Sequence, residues 1–151
     1  MLRVTDQTLP IICLQSAGRI TREEMHRAMA PYDKAYAVKR KFVAVNDVRL
    51  ANFDAQQRAL WAEWTAHSAK HDPGSTLATV MIMENALMRG ALTALNWIAP
   101  HAIPQYAVAD VIEAIEVTRK HLDKANLHCP PETYGHVRLW IDQGYAQAKT
   151  G

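Results

Sequence analysis

The sequence lacks the features that mark membrane proteins and disulfide-rich secreted proteins. Its two cysteines, Cys13 and Cys129, lie far apart and provide no disulfide framework, which favours a reducing cytoplasm. The nearly uncharged run over residues 75–83 ends at Glu84 and is far shorter than the roughly 20 residues that a membrane-spanning helix needs. The first ten residues carry charges and contain no apolar signal-peptide segment. We therefore expect a soluble, cytoplasmic protein without membrane insertion.

A strong charge of one sign and the common catalytic motifs are also missing. The net charge is +2, and no run of lysine or arginine could follow a phosphate backbone, so nucleic-acid binding is disfavoured. The chain contains no nucleophile elbow, no phosphate-binding glycine loop and no dinucleotide fingerprint, so we predict no catalytic residue and no cofactor. A catalytic site assembled from distant residues stays open, but an enzyme is the weaker interpretation.

Two histidines with metal-binding spacing are the nearest approach to a metal site. His67 and His71 are four residues apart on a predicted helix, which lets two imidazoles share one ion. The residues between them include Lys70, whose charge repels a cation, and lack the glutamate of a His-Glu-x-x-His pattern. His128 is adjacent to Cys129, but no second pair follows at zinc-finger spacing. We predict that the protein has no metal site.

The sequence does contain a regular alternation of apolar strands and helices. Hydrophobic residues make up 49% of the chain, which is ample for a core. Predicted strands fall at residues 2–6, 10–15, 42–48, 76–83 and 105–108. Predicted helices begin near Thr21, Asp54, Asn85, Asp110 and Pro131. This order implies an α/β fold with a mixed, mostly parallel sheet of about five strands, helices packed on it, and a C-terminal helix.

A polar segment follows the third predicted strand and opens the second helix. We expect its side chains at the carboxyl ends of the strands, where ligands and partners bind in open α/β sheets. Polar residues after the fourth strand reach the same edge. We call the whole set the recognition edge: Asp47, Arg49, Asn52, Asp54, Arg58, Glu84, Asn85 and Arg89. The alternative is a local role, in which Asn52 or Asp54 caps the helix and Arg58 pairs with Asp54.

The third predicted helix, residues 85–98, is apolar on nearly all sides. One face of this helix suffices for core packing and consists of Leu87, Ala91, Leu95 and Ile98. Arg89 is the helix's single charged residue. Such a helix is either deeply buried or meets a partner, so we expect an interface here and on the tail helix. The predicted interface residues are Met88, Leu92, Trp97, Trp140 and Tyr145. Cover of the third helix by the C-terminal helix is the alternative.

Four stretches between residues 2 and 123 resemble a known family. They are IICLQSAGRIT, FVAVNDVRLANFDAQQRALWAEW, TLATVMIMENALMRGALTALNWIAP and YAVADVIEAIEVTRKHL. The chain resembles the STAS superfamily, the sulfate-transporter and anti-sigma-factor-antagonist domain, and more closely the bacterial STAS-like proteins of unassigned role. The resemblance implies a STAS-like α/β domain over residues 1–125, followed by a helical extension over residues 126–151.

The chain departs from this family at the family's phosphorylation switch. In the anti-sigma-factor antagonists, a kinase phosphorylates a Ser or Thr in the turn that corresponds to residues 49–57. That stretch has no hydroxyl, and the nearest one downstream, Thr65, lies a full turn or more into the predicted helix. We therefore expect a non-catalytic bacterial signalling or regulatory module that binds proteins as a homodimer. The alternative is a binder of an anionic or apolar small molecule, or an enzyme, with a pocket near Asp47, Arg58 and Glu84.

Overall fold

The computed structural model of the chain describes residues 1–98 and 102–151, and for residues 97 and 98 it describes the backbone alone. Within this part of the chain the elements follow the predicted order. The strands are β1 (Leu2–Thr5), β2 (Ile11–Gly18), β3 (Phe42–Ala51), β4 (Thr76–Ile82) and β5 (Gln105–Val108). The helices are α1 (Arg22–Ala37), α2 (Ala55–His71), α3 (Ala86–Ile98), α4 (Val111–Lys124) and α5 (Pro131–Thr150).

The five strands form one sheet whose spatial order, β1-β2-β3-β4-β5, is also their order along the chain. β1 pairs with β2 in antiparallel fashion, and every other neighbouring pair is parallel. A helix connects the strands of each parallel pair, as parallel pairing requires. The predicted mixed, mostly parallel α/β sheet is therefore confirmed. Since successive strands are neighbours, the carboxyl ends of β2, β3 and β4 lie side by side.

Helices cover both faces of the sheet. On one face, Ile12 and Phe42 pack with Tyr32 of α1 and with Trp61 and Trp64 of α2. Because successive side chains of a strand point to opposite faces, a strand covered on both sides must be apolar throughout. The continuous apolar run of β2 follows from this double cover.

The opposite face of the sheet is covered by α4 and α5. Ile11, Val43 and Val80, from three neighbouring strands, pack in one buried cluster with Leu122 of α4 and Ile141 of α5. The last helix therefore folds onto its own chain and contributes to the main core. The division into a domain over 1–125 and an extension over 126–151 stays a prediction.

Most helices begin where the sequence signals place them. Thr21 and Glu24 form a reciprocal capping box, in which each side chain accepts a hydrogen bond from the other residue's backbone N–H. Asp110 caps α4 by accepting from the N–H of Glu113. Pro31 lies inside α1 without ending it. None of the helices in the described part of the chain has the length and apolar character of a bilayer span.

Strand β3 is longer than predicted. We expected it to end at Val48 and to be followed by a polar turn, whereas it continues to Ala51. The added residues pair with the end of β2, after a shift in register. Arg49 therefore lies in the same strand as Asp47, and the predicted turn shrinks to residues 52–54. Two residues apart in a strand, these side chains share one face of the sheet and can neutralise each other.

Candidate functional site

The recognition edge occupies three places in the structure. Asp47 and Arg49 lie on β3 beneath α5. Residues 52–58 form the turn before α2 and the first turn of that helix, and residues 84–89 connect β4 to the first turn of α3. Tyr145 of α5 connects the first of these places to the third. Its ring contacts Arg49 on β3, and its hydroxyl contacts the carboxylate of Glu84, which follows β4. The start of α2 is held by separate contacts of its own.

Asp47 is a buried carboxylate with several hydrogen-bond partners, and its exposed fraction is 1%. Arg49 donates from Nε to Oδ1 and from Nη2 to Oδ2, both at 2.9 Å. Gln15 donates from Nε2 to Oδ2 at 2.8 Å. A bidentate pair of this kind satisfies an ionised carboxylate and fixes the plane of the guanidinium. Asp47 is therefore engaged by side chains of its own protein.

Arg49 is held between this carboxylate and an aromatic ring. Its side chain is 10% exposed, and its Cζ lies 3.8 Å from the centre of the Tyr145 ring, which is a cation–π arrangement. Burial acts to lower the pKa of Arg49, but the hydrogen bonds and the charge of Asp47 outweigh it, so the pKa is raised above its ordinary value. The guanidinium therefore stays charged in a fixed position.

The ring of Tyr145 covers Arg49 on the side that faces α5. Its hydroxyl donates to Oε1 of Glu84 at 2.5 Å, and Nζ of Lys149 lies 4.9 Å from the ring centre. Trp140, one turn earlier on α5, packs against the core beneath the guanidinium of Arg3, at 4.6 Å from Cζ to the ring centre. Both aromatic residues make contacts within their own chain, and their assignment to an intermolecular interface stays a prediction.

Gly144 determines how closely α5 approaches β2. A Cβ at this position would lie 1.8 Å from Oε1 of Gln15 and 2.1 Å from Nη1 of Arg3. Arg3 donates from Nη1 to that oxygen at 3.4 Å, and Gln15 also donates from Nε2 to the carbonyl of Ile141 at 3.1 Å. The backbone of α5 thus rests directly on polar side chains. We call these residues the polar network beneath α5: Arg3, Gln15, Asp47, Arg49, Glu84 and Tyr145.

Sequence reasoning missed Arg3, Gln15 and Gly144. Two signals were available. Gln15 is a polar residue at the end of a strand predicted to be covered on both faces, and a glycine inside a helix costs about 1 kcal/mol relative to alanine. Each signal indicates a close contact at its own position. Neither identifies the other, because the two residues are joined only by the packing of α5 on β2.

At the start of α2, Asn52 and Asp54 have the local, helix-capping role that was the alternative to recognition. Asp54 caps the helix by accepting from the N–H of Gln57 at 3.0 Å, and Asn52 accepts from the N–H of Asp54 at 2.7 Å. Arg58 does not pair with Asp54 as that alternative expected. Its Nη1 donates to the carbonyl of Phe53 at 2.7 Å. These contacts organise the turn, and a role in recognition stays a prediction.

An unpredicted clamp joins α2 to the loop before α1. The buried side chain of Gln57 accepts from the N–H of Ile20 at 2.8 Å and donates to the carbonyl of the same residue at 3.0 Å. An open groove of about 470 Å³ lies beside this clamp. Its charged side chains include Arg22 and Glu63, which pair with each other at 2.9 Å.

Asn85 and Arg89 hold the start of α3. Oδ1 of Asn85 accepts hydrogen bonds from two backbone N–H groups of the first turn, at 2.9 and 3.1 Å. Arg89 donates from Nη1 to the carbonyls of Met83 and Glu84, both at 2.7 Å. The charge of Arg89 is therefore directed at the end of β4.

The outer side of α3 is exposed. Leu87 is 82% exposed and Leu95 is 58% exposed, so the prediction that they face the core is wrong. The physical reason is that α3 packs on the short edge strand β5, where Asn96 donates to the carbonyl of Gln105 at 3.0 Å. This attachment directs the middle of the helix away from the main core.

The predicted interface residues of α3 differ in exposure. Met88 is 39% exposed, and Leu92 is half-buried. The side chains of Trp97 and of Ile98, which was expected on the core face, lie outside the described part of the structure. The C-terminal helix, which was the alternative candidate for covering α3, packs on β2, β3 and α4. Leu87, Met88 and Leu95 therefore form an exposed apolar face, which we call the α3 face.

The histidines that were considered as metal ligands make other contacts. Nε2 of His67 lies 2.6 Å from Oδ1 of Asp33 and so connects α2 to α1, and the ring of His71 lies beside it. Within residues 1–98 and 102–151, no three side chains of the metal-ligating types converge to hold an ion.

Comparison with known proteins identifies the fold. No protein-family model and no curated protein matches the chain. Among solved structures, an uncharacterized protein from the DUF3478 family with a SpoIIAA-like fold, from Shewanella loihica PV-4, is similar with a TM-score of 0.58. The two sequences are 14% identical, and the match covers 78% of this chain and 92% of that one. The SpoIIAA-like fold is a STAS-like fold, so the predicted STAS-like fold is confirmed.

Proposed function

We propose that this protein is a non-catalytic signalling or regulatory module that acts by binding proteins, and that it forms a homodimer through the α3 face. The observation that carries the proposal is the exposure of Leu87, Met88 and Leu95 along one helix. Apolar patches of this kind mark protein interaction sites. The proposal includes a bacterial, cytoplasmic setting, in keeping with the family resemblance and with the unpaired Cys13 and Cys129.

Chemistry favours a second copy of the chain as the occupant of the α3 face. In residues 86–96 the one charged side chain is Arg89, and two backbone carbonyls already accept its hydrogen bonds. An uncharged apolar face is complementary to itself, and a two-fold interface places the same patch on both sides. Gly90 is exposed, with no atom within 4 Å of the position of a Cβ, so a second helix can approach closely.

A different protein partner would use the recognition edge. Asn52, Asp54 and Arg58 lie at the start of α2, at the carboxyl end of β3, where partners bind in open α/β sheets. Their local hydrogen bonds fix the shape of this turn. No hydroxyl side chain lies in residues 49–57, so binding here would not depend on phosphorylation of the turn.

The mass of the particle in solution tests the dimer. In the Leu87→Glu variant, the new charge is tolerated by the monomer because the position is largely exposed, whereas a dimer through the α3 face would have to bury it. We expect light scattering coupled to gel filtration to report two chains for the wild type and one for the variant, with unchanged circular dichroism.

Leu139→Glu is the matched control, since Leu139 is an exposed leucine on α5, 56% exposed. Its mass should equal that of the wild type. A monomeric wild type would overturn the homodimer. A dimeric Leu87→Glu variant would exclude the α3 face as its interface.

A small-ligand binder or enzyme is the second candidate, and the groove beside Gln57 favours it. The space between Gln15, Asp47 and Tyr145 has no room for a water-sized molecule. The groove of about 470 Å³ lies within the range of about 300–1,000 Å³ that is common for ligand sites. A thermal-shift screen of anionic and apolar metabolites tests this candidate. A compound that raises the melting temperature of the wild type but not of Arg22→Ala would replace the first proposal.

A further inference from the structure

Helix α5 is held by two different kinds of contact along its length. In its first half, Tyr134, Val137 and Ile141 are buried in the main core. After Gly144, by contrast, Tyr145 and Ala148 are half-buried and the remaining residues are exposed. Burial of apolar surface is the dominant stabilising effect in folding. The first half of the helix is therefore anchored firmly, and the last two turns are held mainly by the polar network.

The contacts of the last two turns are each modest. Tyr145 stacks on Arg49 and donates one hydrogen bond to Glu84, whose residue is exposed. A hydrogen bond at the surface competes with water, and a single cation–π contact contributes less than the burial of several large side chains, so the two contacts together contribute less than the core packing of the first half of α5. Proteins open locally at such weakly held segments without unfolding as a whole. The end of α5 can therefore lift while residues 131–141 stay in place.

Lifting the end of α5 would uncover a site that is already organised. Arg49 keeps its bidentate pair with Asp47, because neither of those hydrogen bonds involves α5. The open face of the guanidinium and the carboxylate of Glu84 would then both be free. The side chain that fits between them is the one there now, an aromatic ring with a hydroxyl donor. A partner helix with an exposed tyrosine would make the same two contacts.

We propose that the last two turns of α5, residues 144–150, form a displaceable latch over Arg49 and Glu84. A tyrosine-bearing helix of a protein partner reaches Arg49 and Glu84 only when Tyr145 lifts away. The latch is an autoinhibitory contact within the chain. Its biological use rests on the protein-binding function proposed above, whereas its opening is a property of this chain alone.

Chemical modification of arginine in the full-length protein tests the latch. Phenylglyoxal reacts with guanidinium groups that solvent reaches, and peptide mass spectrometry reports the rate for each arginine. We expect Tyr145→Ala to raise the modification rate of Arg49 by about tenfold, because the covering ring is removed from a locally opening segment. Arg138, whose side chain is 58% exposed on the same helix, serves as the internal reference and should react equally in both proteins.

Two further variants separate the contributions. Tyr145→Phe keeps the ring and loses the hydrogen bond to Glu84, so the rate for Arg49 should rise less than in Tyr145→Ala. Gln147→Ala changes an exposed residue of the same two turns and should match the wild type. In the wild type, the slow modification of Arg49 should follow the amide hydrogen exchange of residues 144–150 while residues 134–141 keep their protection, and both rates should rise together in Tyr145→Ala. A wild-type Arg49 that stays unmodified while residues 144–150 exchange would overturn the latch, because the ring would then be a fixed cover.

The latch is overturned if Arg49 reacts as slowly in Tyr145→Ala as in the wild type. It is also overturned if Arg49 becomes reactive only together with loss of protection across residues 134–141, since that is unfolding of the whole helix. Neither result affects the dimer through the α3 face. Conversely, a monomeric wild type would overturn that dimer and leave the behaviour of Arg49 unchanged, so the two failures are distinguishable.

Discussion

Two surfaces of this molecule, the side of β3 beneath α5 and the outer side of α3, reverse the usual relation between polarity and exposure. Beneath α5, Asp47 is 1% exposed and Arg49 is 10% exposed. On α3, Leu87 and Leu95 are mostly exposed. The charged pair is buried because its members satisfy each other. The apolar helix is exposed because it packs on an edge strand, away from the main core.

The difference between the two surfaces indicates different roles. The polar network beneath α5 stabilises one arrangement of a helix on its own sheet, so its residues act first within the chain. The α3 face has apolar area that its own chain does not cover, in the part that the structure describes, so it is the stronger candidate for contact with another chain. Residue type alone assigned Asp47 and Arg49 to recognition, and Leu87 and Leu95 to the core.

The largest effect that tests this comparison is expected at the buried carboxylate. Asp47→Ala leaves the guanidinium of Arg49 in a mostly buried place without its partner. We expect the free energy of unfolding, measured by urea denaturation, to fall by about 3–5 kcal/mol. The matched control is Asp142→Ala, which removes an exposed pair with Arg138 at 3.6 Å and should cost less than about 1 kcal/mol. Equal losses would contradict the structural importance of the buried pair.

Next in size is the contrast between a buried and an exposed aliphatic side chain. Ile141 of α5 is fully buried, and Ile141→Ala should lower the free energy of unfolding by about 2–5 kcal/mol. Leu95→Ala on α3 should change it by less than about 0.5 kcal/mol, because that side chain is largely exposed. Both are measured on a Leu87→Glu background so that dimerisation does not contribute. A large loss for Leu95→Ala would show that α3 packs differently.

The smallest effect compares two glycines of α5. Gly144→Ala would place a Cβ against Gln15 and Arg3, so we expect a loss of about 1–3 kcal/mol in the free energy of unfolding. Gly135→Ala meets no atom within 4 Å and should gain about 0.5–1 kcal/mol, since alanine is the better helix former. Thermal or urea denaturation of the two variants measures both signs. A gain at Gly144 would mean that α5 does not rest on the polar network.

Much of the fold was predictable because its signals are local. The element order follows from the spacing of apolar residues, and the starts of α1 and α4 follow from the caps at Thr21 and Asp110. The end of β3 was predicted three residues too early, because Arg49 resembles the start of a polar turn when it is considered alone. When Asp47 and Arg49 form an ion pair on one face of the strand, β3 can continue its hydrogen bonding to β2. Reading residues one at a time does not reveal that two charged side chains, two positions apart on a strand, neutralise each other.

The candidate site was predictable in part, and for the same reason. The sequence identified Asp47, Arg49 and Glu84 as polar residues near the strand ends, and it also singled out Tyr145. It placed Tyr145 in a separate interface, whereas the structure brings it onto Arg49 and Glu84. The contact between Gln15 and Gly144 joins residues more than one hundred positions apart in the chain. No periodicity or motif encodes a contact over that separation.

By itself, the sequence determined the class of fold, the order of its elements and the absence of a hydroxyl in residues 49–57. These follow from side-chain periodicity, capping chemistry and residue identity, which act over a few neighbouring residues. The tertiary structure alone decided that α5 covers the charged pair and that α3 exposes its leucines. Cover depends on which element packs against which, and that is determined by the summed burial of the whole chain. The polarity of a side chain determines whether it needs a hydrogen-bond partner or apolar contacts, and the packing of the whole chain determines which residue provides them.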